Sequence, residues 1–96
     1  MAKKPVVWTA LALKQRREIL TYWTKRNNSS AYAEKLLKLI AVRTRAIAKH
    51  PESYKLTVYT DTRVSAMGHF SILYKIADNQ IIVTAFWDNR QDPKNY

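Results

Sequence analysis

Cysteine is absent from this 96-residue chain. That excludes disulfides and thiolate metal sites, and it fits a reducing cytoplasm. Glycine occurs once and proline three times, which argues against flexible linkers and low-complexity segments. No apolar run reaches the length of a membrane span. The basic start, Met1-Ala2-Lys3-Lys4-Pro5, leads into no signal-like segment. A soluble, unsecreted, cytoplasmic protein is therefore expected, with no membrane partner. The two histidines, His50 and His69, stand far apart with no carboxylate cluster beside them. Neither a metal nor a cofactor is expected.

Acidic residues are also scarce: 7 against 17 Lys and Arg, a formal net charge of +10. The imbalance is local. Met1 to His50 holds twelve basic and two acidic residues, whereas Pro51 to Tyr96 holds five of each. All the excess charge lies in the first half. Such a surface suits an anionic partner: nucleic acid, an acidic protein segment or the ribosome.

The chain is organised around its last third. Phe70–Ala77 and Gln80–Trp87 are apolar runs rich in Ile, Val, Tyr, Phe and Trp, the residues that fit a pleated, half-buried surface. Asp78-Asn79 between them predicts a tight turn using left-handed backbone. Period two places Phe70, Ile72, Tyr74 and Ile76 on one face, and Ile81, Val83, Ala85 and Trp87 on one face of the next strand. Leu73, Ile82 and Phe86 fall on the opposite faces. A sheet apolar on both sides needs cover.

The preceding residues supply it. Pro5-Val6-Val7-Trp8 predicts an edge strand, and Thr9 suits a helix N-cap. Ala10 to about Arg26 is amphipathic, with Ala12, Leu13, Ile19, Leu20 and Trp23 on one stripe. Asn27-Asn28-Ser29-Ser30 breaks the helix and offers a new cap. A second helix runs from about Ala31 to Lys49, with Ala33, Leu36, Leu37, Ile40, Thr44 and Ile47 on its stripe. It stops before Pro51, because the residue preceding proline avoids the α region. Ser53–Thr60 alternates as a strand or ordered loop, and Arg63–Met67 predicts another strand. Gly68 then marks a turn needing positive φ. The expected fold is α+β, one domain spanning 1–96, in the order β-α-α-β-β-β, with a helical hairpin packed on an antiparallel sheet.

This order resembles the RelE/ParE superfamily of bacterial toxins from type II toxin–antitoxin pairs. The carrying residues are Val6-Val7-Trp8-Thr9, the two helices ending in His50-Pro51, Gly68-His69-Phe70-Ser71-Ile72-Leu73-Tyr74, and Phe86-Trp87-Asp88-Asn89-Arg90-Gln91-Asp92-Pro93. The resemblance implies a growth-arresting toxin held in a heteromeric complex by a cognate acidic antitoxin. It also implies one of two targets. RelE-like members cleave mRNA in the ribosome without a metal. ParE-like members bind DNA gyrase and are not nucleases.

RNA cleavage needs a base, an acid and cations around a dianionic phosphate. Arg63, Arg90 and Tyr96 are the catalytic candidates on the nuclease reading, with His69 a further acid or base. Arg63 and Arg90 meeting across neighbouring strands would clamp a phosphate. Lys55, His69, Lys75, Arg90 and Lys94 are the binding candidates. RelE-like nucleases carry an arginine after the aromatic of the glycine–aromatic pattern, and here that position is Ser71. Together with the neutral second half, Ser71 favours the ParE-like, non-catalytic mode. Arg90 has a structural alternative, pairing with Asp88 or Asp92 to pin the tail. For the antitoxin, the expected seat is an apolar groove between helices and sheet, rimmed by Lys and Arg. A small basic nucleic-acid-binding domain is the alternative of another class.

Overall fold

The computed structural model describes residues 4–90. Strand β1 (Val6–Trp8) leads into helix α1 (Ala10–Asn27) and helix α2 (Ala31–Lys49). A single 3₁₀ turn (Pro51–Ser53) follows, then β2 (Lys55–Leu56), β3 (Arg63–Met67), β4 (Phe70–Ile76) and β5 (Ile81–Asp88). The helices pack on one face of the sheet.

Local chemistry sets the helix ends. The Thr9 hydroxyl accepts from the Ala12 amide at 3.1 Å, closing the first turn of α1. Asn28 ends the helix in the left-handed region, at φ 51°. The Ser29 hydroxyl then accepts from the Ala31 amide, and Ser30 donates to Glu34. Pro51 stops α2 as expected. Gly68 turns at φ 63°.

Four expectations need correction. First, the sheet is mixed. Its order is β1-β5-β4-β3-β2, and β1 runs parallel to β5 while the other pairs are antiparallel. A three-residue strand carries no sequence mark of its pairing direction. Second, the left-handed non-glycine residues among those described are Asn28 and Asp61, not Asp78 or Asn79. Third, Leu13 and Leu37 lie outside the buried stripes, 38% and 42% exposed. Fourth, Ser53–Thr60 pairs only at Lys55–Leu56, and Val58 is 80% exposed.

A β-bulge in β5 alters the expected faces. Leu73 pairs with Ala85, but Tyr74 pairs with Val83, so Thr84 is the extra residue. Beyond it the alternation inverts. Ile81, Val83, Phe86 and Asp88 face the helices, and Ala85 and Trp87 face away. Phe86 is fully buried and stacks on Phe70 at 5.7 Å. Strand β1 ends opposite Val83, so the Phe86 amide lacks a strand partner on that side. The Gln15 side chain of α1 accepts from it at 2.9 Å, satisfying a group that would otherwise be costly to bury.

The far face of the sheet is partly covered as well. The Thr57–Thr62 loop brings Tyr59 edge-on to Trp87, with ring centroids 6.2 Å apart. Ser71 and Leu73 beneath are buried.

Tyr74 gives this core a pH signature. It is fully buried, and its hydroxyl donates to the Pro51 carbonyl. Burial pushes the phenol up to about 12 against its ordinary 10.0, although the Arg63 charge acts the other way. As pH rises, the unfolded chain therefore loses this proton first. The stabilisation is fully present below about pH 10 and is lost as pH rises through about 12, a change of about 2–3 kcal/mol. Denaturant melts across this window should fall more steeply for the native chain than for Tyr74→Phe.

Candidate functional site

Arg90 sits just past the end of β5, in a cage of side chains. Its guanidinium lies 4.4 Å from the Trp23 ring centroid and 5.1 Å from that of Phe70. It donates to the Tyr32 hydroxyl at 3.1 Å and pairs with Asp88 at 3.3 Å. Asp88 is the hub. Its carboxylate also accepts from the Trp23 indole at 2.6 Å and from the Arg90 amide at 3.0 Å. Burial works against the Arg90 charge, but the bonds to Tyr32 and Asp88 outweigh it and hold the group above its usual range. The bulge makes the cage possible, because it turns Asp88 towards the helices.

Arg63 is held elsewhere. It donates to the carbonyls of Tyr54 at 2.7 Å and Glu52 at 3.3 Å. It stands opposite Tyr74, whereas Asp88 stands opposite Phe70. Four residues of β4 separate those rungs, about 13 Å along the strand, and β4 lies between β3 and β5. The expected meeting of Arg63 and Arg90 does not occur. Each instead ties neighbouring segments of the fold together.

Arg63 shares a cleft of about 350 Å³ with Lys75 and Asp61. Lys55 is exposed on edge strand β2. His69 is exposed in the β3–β4 turn, where its carbonyl accepts from the Asn89 amide at 2.8 Å. Lys94 and Tyr96 lie outside the described residues. Ser71, where the nuclease pattern carries arginine, is fully buried, and its hydroxyl accepts from the Asn89 side chain at 2.9 Å.

A second cleft, of about 310 Å³, lies between α2 and the β3–β4 turn. It is lined by Tyr32, Lys35, Leu36, Leu39, Met67 and His69, among others. Leu39 is 46% exposed at its mouth, and Val42, 57% exposed, follows one turn along the helix. Arg43 fixes α2 to β3 by donating to the Ser65 hydroxyl at 2.9 Å and to the Ala66 carbonyl. The cleft is apolar with a basic rim, as an acidic amphipathic segment requires. Leu39 and Val42 are apolar residues off the buried stripe of α2, and that was the one signal for them in the sequence. Trp23 and Tyr32 gave none as parts of a cage.

No helix among the described residues is long and apolar enough to cross a membrane. The family profile described as "ParE toxin of type II toxin-antitoxin system, parDE" matches residues 6–93. Comparison with curated proteins gives no significant match. Among solved structures, the fold is similar to a chain of the chromosomal ParDE TA system from P. aeruginosa, with a TM-score of 0.76. The identity is 12%, and the alignment covers 88% of this chain and 94% of that one.

Proposed function

Because this chain belongs to the ParE toxin family of type II toxin–antitoxin systems, we propose that it arrests growth by binding DNA gyrase and cleaves no nucleic acid. It works in the cytoplasm as a single domain and is silenced by a cognate acidic antitoxin. One observation carries the non-catalytic reading. The two arginines that a phosphate clamp would need stand at opposite ends of the sheet, each held by the fold's own groups. A preorganised phosphate site would instead converge its cations on one point. The buried Ser71 supports the same reading.

The antitoxin segment lies in the cleft between α2 and the β3–β4 turn. Its apolar side chains cover Leu39 and Met67, and its carboxylates meet Lys35 at the rim. That arrangement combines burial with electrostatic steering.

The test uses purified toxin in two assays. In a supercoiling assay, gyrase should be inhibited at concentrations near that of the enzyme. On programmed ribosomes, mRNA should stay intact. Arg63→Ala should lower gyrase inhibition less than about tenfold, whereas losing one preorganised group in a catalytic site typically costs about 10²–10³. Cleaved mRNA with unaffected gyrase would overturn the proposal and direct attention to the cleft that Arg63 shares with Lys75.

A further inference from the structure

The excess positive charge of this chain has a definite place in the fold. Lys14, Arg17 and Lys25 on α1, and Lys38, Arg45 and Lys49 on α2, are all exposed. Each lies two residues from one that packs towards the sheet. Lys14 follows Ala12, Arg17 precedes Ile19, and Lys25 follows the partly buried Trp23. Lys38 follows Leu36, and Arg45 and Lys49 flank Ile47. Two residues turn a helix by about 200°, so all six point away from the sheet. The helices form an antiparallel hairpin, and the cations therefore make two neighbouring rows. Each row is about 16 Å long, from eleven residues at 1.5 Å each.

Among the described residues, no ion pair engages any of the six. The hairpin carries only two acidic residues, Glu18 and Glu34. Glu34 accepts a hydrogen bond from Ser30. Tyr22 is the one aromatic of the hairpin that is largely exposed, and it is held edge-on against Trp23 at 5.0 Å, so the rows carry no series of rings on which unpaired bases could stack. Lys35 and Val42, two residues past the buried Ala33 and Ile40, lie between the α2 row and the cleft beside Leu39. Straight rows of unpaired cations match a stiff, regular polyanion, whose condensed counterions are released when its phosphates are neutralised.

We propose that the outward face of the helical hairpin is a sequence-independent binding surface for the backbone of duplex DNA. The surface adjoins the antitoxin cleft at Lys35 and does not depend on which macromolecule the toxin arrests. It holds the free toxin on DNA through phosphate contacts alone.

The test is a binding titration of the full-length toxin against a random-sequence duplex of about 20 base pairs, a length that exceeds each row. Fluorescence anisotropy is read at several salt concentrations. Binding should weaken steeply with salt, with a log–log slope of about −4 to −5 if most of the six cations engage. Lys38→Gln/Arg45→Gln/Lys49→Gln should reduce the slope by about 2–3 and weaken binding at least about tenfold. A control with the same charge loss outside the helical hairpin, Lys4→Gln/Lys55→Gln/Lys75→Gln, should lose much less. Thermal melts establish that both variants are folded. Equal losses in the two variants would overturn the proposal, since net charge alone would then explain binding. So would tighter binding to a single strand of the same length, or equal competition by polyglutamate at matched charge.

Discussion

Replacing Asp88 with alanine should lower the stability of this toxin by about 3 kcal/mol, the cost of breaking a buried, charge-assisted hydrogen-bond hub. For a domain of this size, that is a fall in Tm of roughly 12–24 °C. The Asp88 side chain is fully buried, while that of Arg90 is 33% exposed. The ion pair itself is therefore partly screened and worth less than a fully buried one. Most of the cost comes from the other bonds. Without the carboxylate, the Trp23 indole and the Arg90 amide lose their acceptor. The Arg90 guanidinium is left between two rings with only the Tyr32 hydroxyl. Arg90→Met should cost somewhat less, about 2 kcal/mol: the buried Asp88 carboxylate loses its counter-charge but keeps its two other donors. The double variant should be less destabilised than the sum of the two. Denaturant melts of the four proteins check this. An Asp88→Ala loss below about 1 kcal/mol, the range of an ordinary surface pair, would mean that the cage does not hold β5 to the helices.

Leu39→Asp should weaken antitoxin binding by about two orders of magnitude while leaving the toxin's own melt nearly unchanged. Leu39 is 46% exposed in the free chain, so the fold does not depend on it. In the complex it would become fully buried, and covering the exposed half of a leucine contributes roughly 1 kcal/mol, about half the value for a whole side chain. Aspartate removes that contribution and sets a like charge against an acidic segment. A tenfold change corresponds to 1.4 kcal/mol, so the two effects together give about a hundredfold. Leu13→Asp places the same charge on an apolar residue 38% exposed on α1, outside the cleft. It should leave antitoxin affinity within about threefold, as expected for a substitution outside an interface. Calorimetric titration with the antitoxin's acidic segment measures both. Equal affinities for Leu39→Asp and the native toxin would move the antitoxin off this cleft.

The elements of this fold were legible wherever the chain carries local punctuation. Thr9, Asn28 and Pro51 mark helix ends by capping and backbone restriction. Gly68 marks its turn by its positive φ. Strands β3 to β5 were legible because their residues suit a half-buried sheet. What stayed hidden depends on pairing rather than on local preference. The bulge at Thr84 leaves no trace in composition, yet it moves Phe86 and Asp88 to the helix side and Trp87 to the other. The direction of β1 is set by where the hairpin returns the chain, which three residues cannot encode. Arg63 and Arg90 are both basic residues at strand ends. Only the register of β4 reveals that those ends are opposite. The sequence did raise the possibility that Arg90 pairs with Asp88. It carried no sign of Trp23, Tyr32 and Phe70 around that pair, because each reads as a core or surface residue of its own element.

Pulse labelling of bacteria in the first minutes after inducing the chain without an antitoxin tests the central claim most directly. DNA synthesis and protein synthesis are followed separately. Inhibition of gyrase predicts an early stop in DNA synthesis while translation continues and transcripts remain whole. Early collapse of translation with cut transcripts, and DNA synthesis failing only later, would contradict it.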